Sequence, residues 1–164
     1  MQNDHLFNQK SHSIARIRSS LLQKGRHLLD NQRYPHAATV LKQAALLRSS
    51  DACVLLFGIY QNKLVASKNP WLSFYYLVLA SQYGNQRANL DLKSIPVEKF
   101  IKCCIYFNRL GKAKEANEIF KSAVKIRDDG QAWVELAKHY IRGDGVEQNF
   151  STAQQYLKHA VHLK

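Results

Sequence analysis

A chain of 164 residues with 46% hydrophobic residues, three prolines and seven glycines is long enough for one domain with a buried core, and few of its residues break helices. Its longest apolar run, from Pro70 to Ala80, is about half the ~20 residues of a membrane span, which excludes that class. Twenty-four Lys and Arg stand against twelve Asp and Glu, a net charge of +12, so acidic partners, nucleic acid or anionic surfaces are the natural attractants.

In chain order, the polar opening MQNDHLFNQKSHS carries no secretory signal and is expected to be a flexible segment over 1–12. Helices are then predicted near 13–30, 34–48, 51–62 and 69–84. Asn69 is placed as an N-cap there, with Pro70 at the first helical position, where proline is tolerated. The helix over 69–84 is apolar nearly all round, which predicts burial on several sides, with Trp71, Phe74, Tyr75 and Tyr76 as core. Further helices are predicted near 96–109, 112–127, 131–142 and 149–163. Val97, Phe100, Ile101, Cys104 and Ile105 form a helical stripe in the first of them, and Gly111 follows as a stop signal. No segment alternates as a strand does, so the fold class is all-α. The three cysteines, Cys53, Cys103 and Cys104, lie in apolar runs without a CxxC pair, which fits free thiols in a reducing cytoplasm.

The chain also repeats itself. An offset of 80 lays Ala52, Leu56, Tyr60, Asn69, Tyr76 and Ala80 on Ala132, Leu136, Tyr140, Asn149, Tyr156 and Ala160. An offset of 79 lays Ala37, Lys42 and Ala44 on Ala116, Lys121 and Ala123. The reading is two copies of a block of ~80 residues, each holding two helix pairs. A single domain over 13–164 then comprises units of about 13–50, 51–90, 95–129 and 131–164.

Ala132, Leu136-Ala137, Tyr140, Gly143-Asp144-Gly145-Val146, Asn149, Ala153, Tyr156 and Ala160 together resemble the Sel1-like repeat. The segment 52–88 shares that pattern but carries NKLVASK in place of the glycine loop, so its turn is expected to differ. Phe100, Cys103-Cys104, Phe107, Ala116, Phe120 and Ala123 resemble the tetratricopeptide repeat, as do Leu21, Lys24-Gly25, Leu28, Ala37, Leu41 and Ala44. The resemblance covers about 18–164, with tetratricopeptide-like units at about 18–51 and 97–130 and Sel1-like units at about 52–88 and 131–164. It implies an α-solenoid of four antiparallel helix pairs in a right-handed superhelix, with protein or peptide ligands in its concave groove. It also makes Gly143-Asp144-Gly145 turn chemistry rather than a phosphate cradle, which would need a preceding strand and a third glycine. With Arg142 in front, the same tripeptide reads as an adhesion signal only in an extracellular protein, which the polar N-terminus argues against.

No catalytic constellation is expected. His159 and His162 share a helix face but lack a third ligand nearby in sequence, so neither a metal nor another cofactor is expected, and the chain is read as no enzyme. The expected function is that of an adaptor or scaffold holding an acidic or carboxylate-ended segment of a partner protein. The face assigned to it carries Arg26 and Leu29, then Gln61, then Lys102, Ile105, Asn108 and Arg109, and finally Lys138, Ile141 and Arg142. Leu22, Val54, Gly58, Ile101 and Val134 lie between them.

An alternative is nucleic-acid binding through residues 10–48, which hold eight cations and one acid. A third is self-association through an uncapped last helix, with Ala153, Tyr156, Leu157 and Ala160 left uncovered on one side. Family analogy favours a bacterial cytoplasmic protein, with export by a signal-independent route left open.

Overall fold

The computed structural model describes residues 2–65, 69–127, 130–143 and 146–163. The parts of the two loop readings that fall on 66–68 and 144–145 lie outside the described residues. Among the described residues there are nine helices and no strand. They are α1 (Gln2–Asp30), α2 (Tyr34–Leu46), α3 (Ser50–Gln61), α4 (Pro70–Gln82), α5 (Gln86–Lys93), α6 (Val97–Arg109), α7 (Ala113–Arg127), α8 (Gly130–Arg142) and α9 (Phe150–His162).

Two differences from the expected elements have local causes. Helix α1 starts at Gln2 rather than near 13, because nothing in the polar opening breaks a helix: it contains neither Pro nor Gly. Helix α5 was not predicted. At eight residues it is too short to show a periodic stripe, yet Asn85 caps it by accepting the Ala88 N–H at 2.8 Å.

The chain divides into two compact units, Met1–Ala88 and Asn89–Lys164, a division near the boundary between the two sequence blocks. In the first, α1 packs on α2, α2 on α3 and α3 on α4, while α1 also touches α3. In the second, α6 packs on α7, α7 on α8 and α8 on α9, while α6 also touches α8. Each unit has its own core. Leu41, Leu56, Ile59 and Val78 are buried in the first, and Phe100, Phe107, Ile119, Phe120 and Leu136 in the second.

Positions equated by the two offsets do the same work in both units. Leu41 and Phe120 are fully buried, as are Leu56 and Leu136. Tyr60 stacks on Tyr76 with centroids 5.8 Å apart, joining α3 to α4, and Tyr140 meets Tyr156 edge-on at 5.4 Å, joining α8 to α9. Asn69 Oδ1 accepts from the Trp71 and Leu72 N–H groups, and Asn149 Oδ1 accepts from Thr152 N–H. As expected, α4 is core: Phe74, Tyr76, Leu77, Val78, Leu79 and Ala80 are all buried, and Trp71 and Tyr75 are half-buried.

The helix ends repeat as well. Arg33 N–H bonds Leu28 O while Gln32 N–H bonds Leu29 O, the paired bonds of a Schellman cap, which needs one residue in the left-handed region. Gln32 takes it at φ 56° in the first unit, and Gly111, its counterpart at offset 79, takes it at φ 70° in the second. Lys63 at φ 56° likewise answers Gly143 at φ 73°. The turn after α3 was expected to differ from that after α8 for want of glycine. At this residue both turns take a left-handed φ, and Lys63 bears the steric cost that Gly143 avoids.

Candidate interaction surfaces

The residues assigned to a binding face fall in both units. Helix α6 turns Val97, Phe100, Ile101, Cys103, Cys104 and Phe107 inward. Lys102 and Arg109 are left exposed on its other side, and Ile105 and Asn108 half-buried. Positions 102, 105 and 109 lie within one narrow helical stripe, so a half-buried isoleucine sits between two exposed cations. Neither Lys102 nor Arg109 forms an ion pair or hydrogen bond through its side chain among the described residues. Ile101, placed on this face by the sequence, is 7% exposed and belongs to the core.

Helix α8 buries Ala132, Leu136 and Ala137 and exposes Lys138, Ile141 and Arg142, with Val134 half-buried. Lys138 is already engaged, its Nζ 2.7 Å from Glu135 Oε1. The backbone around Ile141 is held by Gln148, whose Nε2 donates to the Ile141 carbonyl at 2.7 Å.

In the first unit the assigned residues do structural work. Arg26 on α1 pairs with Asp51 on α3 at 3.1 Å, tying the two helices across the solvent-exposed side. Gln61 Oε1 accepts from the Ser73 hydroxyl at 3.2 Å, joining α3 to α4. Leu29 is half-buried, and a side chain at Gly58 would meet nothing within 4 Å, so α3 is smooth there. The stripe of α9 expected to lie uncovered is also revised. Ala153 and Ala160 are buried, and the apolar residues that α9 does expose are Phe150, Leu157 and Val161.

The thiols offer little nucleophilic chemistry. Burial pushes Cys53 and Cys103 up to about 12, Lys99 opposing it only weakly at Cys103. Cys104, raised further by burial, donates its S–H to the Ala116 carbonyl at 3.4 Å. All three are thiols rather than thiolates at neutral pH. Burial, and then the neighbouring Tyr156, also raises Tyr140.

His159 packs on Trp133 with ring centroids 4.2 Å apart. Among the described residues no three His, Cys, Asp or Glu side chains converge as metal ligands. Among the same residues no helix is long and apolar enough to cross a membrane. A cleft in the first unit, between α1 and the start of α3, has no signature in any single stretch of the sequence.

Set against models of known protein families and against curated proteins, the chain matches none.

Proposed function

We propose that this chain is a non-enzymatic adaptor: an α-solenoid of antiparallel helix pairs, similar to the tetratricopeptide and Sel1-like repeats, that holds an acidic or carboxylate-ended peptide of a partner protein. The observation that carries the reading is the α6 stripe, where Lys102 and Arg109 stand exposed, without a side-chain partner among the described residues, on either side of half-buried Ile105. Cations not already neutralised give up no internal salt bridge when a carboxylate arrives, and the isoleucine supplies an apolar seat between them. The contact of α6 with α8 supports extending the surface to Ile141 and Arg142, with Lys138 a weaker contributor because Glu135 holds it. The solenoid itself is supported by the packing of chain neighbours in each unit and by the touching of alternate helices, α1 with α3 and α6 with α8.

The test is capture of partners by the whole chain and by its Lys102→Glu/Arg109→Glu variant, from lysate halves with and without nuclease. A direct titration with a fluorescent glutamate-rich peptide, bearing a free or an amidated C-terminus, accompanies it. The reading expects peptide affinity to fall about tenfold or more on double reversal. Unchanged affinity rejects this surface.

Nucleic-acid binding is the second reading, favoured by the exposure of Lys10, Arg16, Lys24, Arg33 and Lys42 on α1, α2 and the turn between them. Its mark is loss of all partners after nuclease.

A further inference from the structure

The first unit contains a cleft of about 350 Å³. Arg18 and Leu22 of α1 form one wall, and Arg48, Ser49 and Ser50 at the turn into α3 form the other, with Tyr83 beyond the end of α4. Two arginines from separate elements therefore line one small concavity. Asp51 also lines it, but Arg26 pairs with that carboxylate at 3.1 Å from outside the lining. With Arg26 balancing Asp51, the charge of Arg18 and Arg48 leaves the cleft net positive.

The two arginines are differently held. Arg48 lies over the Tyr83 ring, 5.3 Å from its centroid, so its long side chain is partly ordered before any ligand arrives. Arg18 is half-buried, which weakens solvent screening of its charge.

The donors beside them are unspent. Ser49 is 6% exposed; its Oγ accepts the Ala52 N–H at 3.2 Å, and no described residue accepts its own hydroxyl proton. Ser49 O takes the Cys53 N–H, while the N–H groups of Ser50 and Asp51 have no acceptor among the described residues. Two guanidinium groups, two serine hydroxyls and two amides offer more donors than a carboxylate has lone pairs, and they suit the three terminal oxygens of a phosphate dianion.

We propose that this cleft binds the phosphate group of a small phosphate monoester. The volume exceeds that of the bare ion and leaves room for an organic substituent beside Leu22. This site lies in the first unit and does not depend on the α6 stripe.

The test is a titration of the ¹⁵N-labelled whole chain with phenyl phosphate, inorganic phosphate and benzoate, followed by amide and arginine side-chain NMR at constant ionic strength. The proposal expects saturable shifts centred on Ser50, Asp51 and Arg18, with phenyl phosphate bound about tenfold or more tighter than benzoate. Arg18→Gln and Arg48→Gly are each expected to weaken phenyl phosphate about tenfold or more, while Lys102→Glu/Arg109→Glu leaves it unchanged. Arg48 holds a left-handed φ of 63°, so glycine removes the guanidinium without straining the turn, and that variant serves even if Arg18→Gln fails to fold. Diffuse shifts that track total salt, or unaltered affinity in whichever variant folds, overturn the site. Equal binding of benzoate overturns its assignment to phosphate.

Discussion

Gly25 and Cys104 occupy the same position at the offset of 79 and solve one problem, how closely the first helix of a pair can approach the second. A methyl group on Gly25 would run into Leu41 Cδ2 and stand 2.7 Å from its Cγ, and Leu41 is fully buried. At Cys104 the small thiol fits and bonds the Ala116 carbonyl. Gly25→Ala therefore sets a helix-propensity gain of about 1 kcal/mol against overpacking of about 1–3 kcal/mol. The expected net loss is about 1 kcal/mol, read as a lower urea midpoint with an unchanged slope.

The buried thiols make a second prediction at this scale. Cys53 and Cys103 rise in the fold from 9.0 to about 12, so the native state keeps protons that the unfolded chain releases. Their stability contribution is complete below about pH 9 and disappears as pH climbs toward 12. The melting temperature should decline steadily above pH 9, and less steeply in Cys103→Ala, as thermal scans from pH 7 to 11 will show.

Among the elements, the helix ends separate the two units. Gln32 and Lys63 hold a left-handed backbone where the second unit has Gly111 and Gly143. That conformation costs an ordinary residue about 1–2 kcal/mol, while glycine adds about 0.5–1 kcal/mol of unfolded-chain entropy. Gln32→Gly and Lys63→Gly should each stabilise by a few tenths to about 1 kcal/mol. Gly111→Ala should destabilise by about 1 kcal/mol, and all three are measurable by chemical denaturation. Asn69, which accepts from two N–H groups, should lose about 1 kcal/mol on replacement by alanine, with the loss concentrated in amide exchange at the start of α4.

For the whole molecule, charge is the dominant property. Eleven of the Lys and Arg residues stand against three acids over 1–90, and thirteen against nine over 91–164. Retention on a polyanion such as heparin should fall steeply and linearly with the logarithm of salt concentration. Phenyl phosphate at the cleft and the acidic peptide at α6 each engage few charges and should lose much less affinity over the same range. A comparison of the three salt slopes separates a general field from a built site.

Helix positions and caps were legible in the residues alone, because each depends on neighbours a few positions apart, and the doubled pattern was legible because it needs only a comparison of the chain with itself. Asn69 as a cap and the apolar stripe of α6 belong to the local class, whereas the stacking of Tyr60 on Tyr76 and the edge-on contact of Tyr140 with Tyr156 needed the packing of helix on helix. Helix α5 escaped because eight residues carry too little periodicity, although Gly84-Asn85 marks a stop and a start.

The candidate faces were legible only in part. A helical stripe predicts which residues point outward, as with Lys102, Ile105 and Arg109, but not which already have a partner. That Arg26 pairs with Asp51, Gln61 with Ser73 and Ile101 with the core was decided by packing between helices. The arginine cleft is the strongest instance. Arg18 and Arg48 stand thirty positions apart on different elements, and only the packing of α1 against α3, with Tyr83 close by, brings their charges to one concavity.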